Sequence, residues 1–123
     1  MSQDHKGVVL LVGGDARLAG ALRTTAERLS LQVRVVPAEA DATLHADAGP
    51  VRLVLADGDA GAAVPALIRK AKADATLKNV PMVAFLARVE EGAFRAVREA
   101  GAERILVRDQ LEMDLNFILR AVV

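Results

Sequence analysis

Short aliphatic runs alternate with longer segments of helical periodicity along this chain, and that alternation restricts the fold more than any other feature. The run at residues 8–12 is apolar throughout, as expected for a central strand that is buried on both faces of a sheet. Residues 31–36 instead alternate polar and apolar side chains, which is typical of an edge strand. Strands that alternate with helices indicate a parallel sheet covered on both sides. The five predicted strands are residues 8–12, 31–36, 51–56, 82–86 and 105–107.

The first helix is predicted over residues 16–29, where apolar side chains recur every three or four positions. Asp15 stands immediately before it, in the position of an N-terminal cap. The next three helices are predicted over residues 38–48, from a first turn containing Pro65 to about Ala73, and over residues 90–100.

The last helix is predicted to start near Gln110, because Asp109 and Glu112 have the spacing of a capping box. Met113 and Phe117 lie four positions apart, on a different face from the apolar stripe that would pack on the sheet. This second apolar face either packs under the chain's own fifth strand, is simply exposed, or binds a partner. The stripe itself consists of Leu111, Leu115, Ile118, Leu119 and Val122.

Composition favours one globular domain over residues 1–123, with a polar tail at residues 1–6. The formal net charge is zero and charges of both signs are mixed along the chain, which argues against nucleic acid as a direct partner. The absence of cysteine excludes disulfides and thiolate chemistry. No apolar run approaches the ~20 residues that span a bilayer, so we expect a cytoplasmic protein without a membrane partner.

Candidate chemistry lies at the carboxyl ends of the strands, where sites form in an open parallel sheet. No pair of a nucleophile and a base stands there, and the two histidines, His5 and His45, lack neighbours at metal-ligand spacing. We therefore expect neither an enzyme nor a metal site. The residues at these strand ends are Gly13, Gly14, Asp15, Asp57, Leu86 and Arg108.

Three segments resemble the receiver domains of two-component response regulators, and they occur in the family's order. Leu53-Val54-Leu55-Ala56-Asp57 is similar to the third strand, which ends in the phosphate-accepting aspartate. Residues 73–81 are similar to the approach to the fourth strand, and Ala100-Gly101-Ala102-Glu103 is similar to the turn before the fifth. The resemblance implies a flavodoxin-like (βα)5 three-layer sandwich, with a parallel sheet in the strand order 2-1-3-4-5.

The same resemblance shows what this chain lacks. Gly13 and Gly14 occupy the positions of two acidic residues that hold Mg²⁺ in the family, so the degenerate pocket keeps only Asp15 beside them. Leu86 replaces the switch hydroxyl and offers no hydrogen-bond donor, and Ile105 replaces the switch aromatic residue. Arg108 stands at the family's lysine position and keeps the positive charge with a different geometry.

Two positions leave alternatives open. Asp57 is either a phosphoacceptor or, as we favour, a carboxylate that is paired with Arg108 or caps a turn. Gly13 and Gly14 could instead open a small-molecule or phosphate pocket, because glycines at a strand-to-helix turn let backbone N–H groups approach an anion. Asp15 at the helix start would oppose such an anion.

We therefore predict a stand-alone atypical receiver, or pseudo-receiver, that acts by protein–protein interaction without a cofactor and independently of Mg²⁺-dependent phosphorylation. One alternative is a phosphorylatable receiver that uses Asp57 in a phosphorelay, and another is a small-molecule-binding flavodoxin-like domain. The expected partner is another signalling protein, either a histidine kinase or an effector, and a homodimer through the helix at residues 90–100, the fifth strand and the last helix is also considered. The predicted interaction surface consists of Arg95, Arg98, Met113 and Phe117.

Overall fold

The computed structural model describes residues 7–37, 50–88 and 90–123. Five strands form one parallel sheet in the order 2-1-3-4-5, counted along the chain, so the predicted strand order is confirmed. The first strand is hydrogen-bonded to a neighbour on each side, and the second strand lies at an edge of the sheet, as its alternating sequence indicated. The strands are β1 (Gly7–Val12), β2 (Leu31–Val36), β3 (Val51–Asp57), β4 (Met82–Leu86) and β5 (Arg104–Val107).

The described helices lie between and after these strands. The carboxylate of Asp15 accepts a hydrogen bond from the backbone N–H of Leu18 at 2.9 Å, so the predicted cap of the first helix is confirmed. The helix predicted over residues 38–48 and the polar tail at residues 1–6, with His5 and His45, lie outside the described residues. The described helices are α1 (Ala16–Arg28), α2 (Ala63–Ala73), α3 (Glu91–Ala100), α4 (Arg108–Met113) and α5 (Leu115–Arg120).

Two apolar layers enclose the sheet, one on each face. Val8, Leu10 and Val12 of β1 pack with α2 and α3 on one face, whereas Val9 and Leu11 pack with α1, α4 and α5 on the other. Successive side chains of a strand point to opposite faces, so a strand covered on both sides needs an uninterrupted apolar run. This arrangement explains why residues 8–12 show no alternation.

The C-terminal segment departs from the prediction of one capped helix. It forms two short helices that meet at Asp114, and α4 begins at Arg108, directly after β5. The predicted capping box of Asp109 and Glu112 is wrong, because the N-terminal cap of α4 is Val107 and no side chain caps it. Glu112 instead binds two arginines, so its carboxylate is not used at the helix start.

The stripe predicted for this segment is confirmed. Its first four members are buried against β1, β3, β4 and α1, and Val122 packs at the margin of the same layer. Among the described residues, no helix combines the length and the apolar character needed to cross a lipid bilayer.

Candidate functional site

Two glycines turn the chain from β1 towards α1. Gly13 and Gly14 have φ angles of +76° and +81°, a region that disfavours side chains. A Cβ atom on Gly13 would lie 3.1 Å from the Cβ of Asp57 and 3.2 Å from the Cβ of Ala60. The loop after β1 therefore packs closely against the turn after β3, and glycine at position 13 permits that approach.

Asp57 ends β3 in a half-buried position beside Gly13. Its Oδ1 atom accepts a hydrogen bond from the backbone N–H of Asp59 at 2.9 Å. This bond closes a short turn of the kind that aspartate side chains often stabilise. The sequence left two roles for an unphosphorylated Asp57, capping a turn or pairing with Arg108. The structure shows the turn cap, and Arg108 pairs with Asp15 and Glu112 instead.

A second carboxylate joins the turn after β3 to the end of β4. The Oδ2 atom of Asp59 accepts a hydrogen bond from the backbone N–H of Ala87 at 2.7 Å. The backbone N–H of Gly58 donates to the carbonyl oxygen of Phe85 at 2.8 Å, which extends the contact between the two strand ends. Asp59 is not among the candidate residues at the strand ends that the sequence indicates. Asp59 and Ala87 are 28 positions apart in the sequence, so no local pattern predicts their hydrogen bond.

The two switch positions of the family are filled by apolar side chains that pack. Leu86 is completely buried, and a Cβ atom on Gly58 would lie only 2.5 Å from its Cδ2 atom. Ile105 is half-buried and packs against the layer that contains α2 and α3. Both side chains therefore serve packing, and neither carries a hydrogen-bonding group.

Arg108 is held by two carboxylates. Its NH2 atom is buried and lies 2.6 Å from Oδ2 of Asp15, a contact whose alignment makes it electrostatic rather than a regular hydrogen bond. Its Nε atom donates to Oε2 of Glu112 at 3.1 Å. The same Glu112 oxygen accepts from the NH2 atom of Arg17 at 2.9 Å. We call these four residues, Asp15, Arg17, Arg108 and Glu112, the ion cluster.

The ion cluster changes the acidity of two of its members. The backbone N–H of Leu18 and, after it, the guanidinium of Arg108 lower the pKa of Asp15. Asp15 in turn raises the pKa of Arg108, with Glu112 contributing in the same direction. A helix cap and an arginine thus hold Asp15 as an anion. The Asp15–Arg108 contact joins the segments that follow the carboxyl ends of β1 and β5.

No group of three or more His, Cys, Asp or Glu side chains within residues 7–37, 50–88 and 90–123 could hold a metal ion. Gly13 and Gly14 supply no side-chain oxygen where the resemblance implies the ligands of Mg²⁺. Asp15 already caps α1 and contacts Arg108, and Asp57 already accepts the N–H of Asp59. The side chains at this edge do not fit a hard cation that prefers several oxygen ligands.

The predicted interaction surface flanks β5, the edge strand of the sheet. Met113 and Phe117 are 84% and 70% exposed, so this apolar face does not pack under the chain's own fifth strand. Arg95 and Arg98 are exposed on α3, which covers the opposite face of the sheet from α4 and α5. Arg95 pairs with Glu91 at 2.7 Å. A shallow pocket of about 200 Å³ lies beside them, lined by Phe94, Arg98, Ala102, Glu103 and Ile105. We call Arg95, Arg98, Met113 and Phe117 the docking surface.

Neither a protein-family model nor a curated protein sequence matches the chain, whereas many solved structures do. The chain is similar to a response regulator from Thermotoga maritima, with 19% identity over 94% of this chain and 93% of that one and a TM-score of 0.72. It is similar to the chemotaxis response regulator CheY4 of Vibrio cholerae, with 14% identity, coverage of 95% and 98%, and a TM-score of 0.76.

A third similar structure is the receiver domain of a sensor histidine kinase from Pseudomonas aeruginosa, in which a magnesium ion is coordinated in the active site cleft. It shares 20% identity with this chain, over 94% of this chain and 95% of that one, with a TM-score of 0.73. The similarity extends over nearly the whole length on both sides. The chain therefore has the flavodoxin-like fold of response-regulator receiver domains, as its sequence resemblance implied.

Proposed function

We propose that this chain is a receiver-like signalling domain that acts by protein–protein interaction and does not depend on Mg²⁺-assisted phosphorylation of Asp57. The observation that carries the proposal is the internal pairing of the site. Asp15 and Glu112 bind Arg108. Asp57 accepts a hydrogen bond from the N–H of Asp59, and the carboxylate of Asp59 accepts one from the N–H of Ala87.

Phosphoryl transfer to a carboxylate needs a cation or other positive charge to neutralise the developing negative charge. At this edge of the sheet, the ligand positions for Mg²⁺ are glycines in a backbone conformation that disfavours side chains. The cation of Arg108 is committed to two carboxylates and lies at the β1 side of the site. A phosphoryl group on Asp57 would have to break existing pairs to obtain charge compensation.

A phosphoryl group also needs hydrogen-bond donors. Leu86 fills its position with buried hydrocarbon, and the backbone N–H groups of Asp59 and Ala87 already donate to carboxylates. The proposal therefore assigns the chain no enzymatic activity and no cofactor. It places the functional chemistry on the docking surface instead.

Aromatic residues, methionine and arginine are enriched in the buried part of protein interfaces. Met113 and Phe117 are the two most exposed large hydrophobic side chains in the part of the chain that the structure describes. We propose another signalling protein as the partner, a histidine kinase or an effector, and a second copy of this chain is an alternative outcome of the binding test. A formal net charge of zero gives no support to nucleic acid as a partner.

The first test is incubation of the protein with a small acyl phosphate and Mg²⁺, followed by intact mass measurement. We expect no gain of a phosphoryl group, while a receiver domain with a complete acidic site gains one under the same conditions. A phosphate-sized gain that disappears in Asp57→Asn would overturn the proposal.

The second test is binding. A Met113→Ala/Phe117→Ala double variant is compared with wild type in pull-downs and in titrations with each identified partner. Val35→Ala is the matched control, because Val35 is an exposed hydrophobic residue on β2, at the opposite edge of the sheet. We expect the double variant to lose the partner and the control to retain it. Equal recovery with all three proteins would remove the docking surface.

A further inference from the structure

We propose that Met113 is a site of reversible oxidation by peroxides, and that conversion of its thioether to the sulfoxide weakens binding at the docking surface. The regulatory role rests on the proposed function, because it concerns the same surface. The oxidation itself depends only on the exposure and the chemistry of one side chain.

The sequence offers an oxidant few side chains with which to react. It contains no cysteine, tryptophan or tyrosine, and three methionines carry all of its sulfur. In proteins with reactive cysteines, peroxides oxidise the thiolates. In this chain the thioether of methionine is the sulfur group that remains for that reaction.

The two methionines in the described part of the chain differ in their exposure. Met113 is 84% exposed at the end of α4, whereas Met82 is 1% exposed at the start of β4. Oxidation follows exposure, and a buried side chain reacts only when the structure opens around it. Peroxide therefore reaches Met113 in the folded protein, and the packing of the core keeps it from Met82.

Oxidation of Met113 changes the character of the docking surface. Met113 and Phe117 are its two large apolar side chains, and they lie four positions apart in the sequence. A sulfoxide is polar and disrupts interfaces that contain methionine. A partner that buries both side chains must then remove water from the sulfoxide oxygen, which costs free energy unless the partner supplies a hydrogen bond.

The reaction balances without a metal ion. A lone pair of the sulfur attacks one oxygen of hydrogen peroxide, the O–O bond breaks and an S–O bond forms. The second oxygen leaves as water with both protons, so the sulfur loses two electrons and the peroxide gains them. In the reverse direction, two thiols give a disulfide and water and return the sulfur to the thioether, a step that methionine sulfoxide reductases catalyse.

The experiment treats the whole chain with hydrogen peroxide and follows the three methionines separately by peptide mapping and mass spectrometry. Met113→Leu is the matched control, because it keeps an apolar side chain of similar volume and has no sulfur to oxidise. Met113→Gln places a polar carbonyl close to the position of the sulfoxide oxygen. Retention on a phenyl resin measures the exposed apolar surface of each protein before and after treatment.

We expect the Met113 peptide to gain one oxygen atom at least about tenfold faster than the Met82 peptide. Retention of treated wild type should fall to that of untreated Met113→Gln, and treatment should not change the retention of Met113→Leu. Sulfoxide reductases for both epimers, supplied with a dithiol, should restore the wild-type value. Unfolding would expose the core and raise retention, so a fall in retention identifies a change at the surface.

Binding gives a further measurement for each partner identified with the Met113→Ala/Phe117→Ala variant. Treated wild type should bind that partner at least about tenfold more weakly than untreated wild type, the loss typical of a residue central to an interface. The affinity of Met113→Leu should be the same before and after treatment. Equal affinities of treated and untreated wild type, with Met113 fully converted, would remove the regulatory role.

Equal oxidation rates at Met113 and Met82 in the folded protein would overturn the inference. A fall in retention of the same size in treated Met113→Leu would also overturn it. Equal recovery of partners by wild type and the Met113→Ala/Phe117→Ala variant would contradict the proposed function, yet it would leave the oxidation rates and the retention values unaffected. The two failures can therefore be told apart.

Discussion

The carboxyl ends of the strands and the docking surface use their side chains in opposite ways. At the carboxyl ends of the strands, Asp15, Asp57 and Arg108 are each bound by other groups of the same chain. On the docking surface, Met113 and Phe117 are left exposed. The first region is internally satisfied, and the second has unused capacity for contact. The difference teaches that one fold can pair its charged groups internally in one place and leave large apolar side chains exposed in another.

The largest expected effect tests whether position 86, at the end of β4, can hold the hydroxyl side chain that the family resemblance implies there. Leu86→Thr removes buried hydrocarbon and places a hydroxyl in a fully buried position beside Gly58. We expect the free energy of unfolding to fall by about 2–3 kcal/mol in urea titrations, from lost packing and desolvation of the hydroxyl. Val35→Thr, at an exposed site, should change it little. An unchanged free energy of unfolding in Leu86→Thr would show that tight packing does not fill this position.

The next largest effect concerns the turn after β1. Gly13→Ala forces a side chain into a positive-φ conformation and against Asp57 and Ala60, so we expect a loss of about 1–2 kcal/mol in the free energy of unfolding. Gly20→Ala is the matched control, since Gly20 is in α1 and a Cβ there meets no atom within 4 Å. It should stabilise the protein by about 0.5–1 kcal/mol. Effects of the same sign in both variants would contradict this account.

A smaller effect is expected in the pH dependence of stability. The folded pKa of Asp15 is lowered, so its stabilisation is present above the pKa it has in the unfolded chain and is lost as pH falls through the folded pKa. As the pH is lowered through the acidic range, the melting temperature should therefore fall less steeply in Asp15→Asn than in wild type. Asp109→Asn, an exposed carboxyl in α4, serves as the control. Parallel curves for wild type and Asp15→Asn would remove the ion pair from this account.

The smallest effect on stability is expected on the docking surface itself. Met113→Ala/Phe117→Ala should change the free energy of unfolding by no more than about 0.5 kcal/mol, because the removed atoms are exposed. The same variant is expected to lose partner binding. A large loss of stability would show that these side chains pack within the chain, and the contrast between the two regions would then disappear.

The Ala-Gly-Ala-Glu segment shows how far sequence reasoning reached. Gly101 ends α3 with a φ of +125°, as its place after a helical pattern indicated. Glu103 accepts the backbone N–H of Met82 at 2.6 Å and pairs with Lys72. The turn was predictable because it depends on neighbours in the chain. The pairing was not, since Lys72 is 31 positions away.

Glu112 shows why a local rule can fail. Its spacing from Asp109 predicts a capping box, but Arg17 and Arg108 compete for the same carboxylate. Two guanidinium groups give this carboxylate two charge-assisted contacts, whereas the capping box would offer it a single backbone N–H. The tertiary structure brings the two arginines to Glu112, and the local sequence pattern does not predict that contact.

The amino-acid sequence by itself determined the strands, their order through the family resemblance, the glycine turn after β1 and the cap of α1. These features depend on the periodicity of apolar residues and on groups within a few positions of one another. Only the tertiary structure decided that Arg108 pairs with Asp15 and not with Asp57, because that choice depends on distances across the ends of separate strands. Ionic contacts have no sequence period, and the packed sheet alone sets which charges meet.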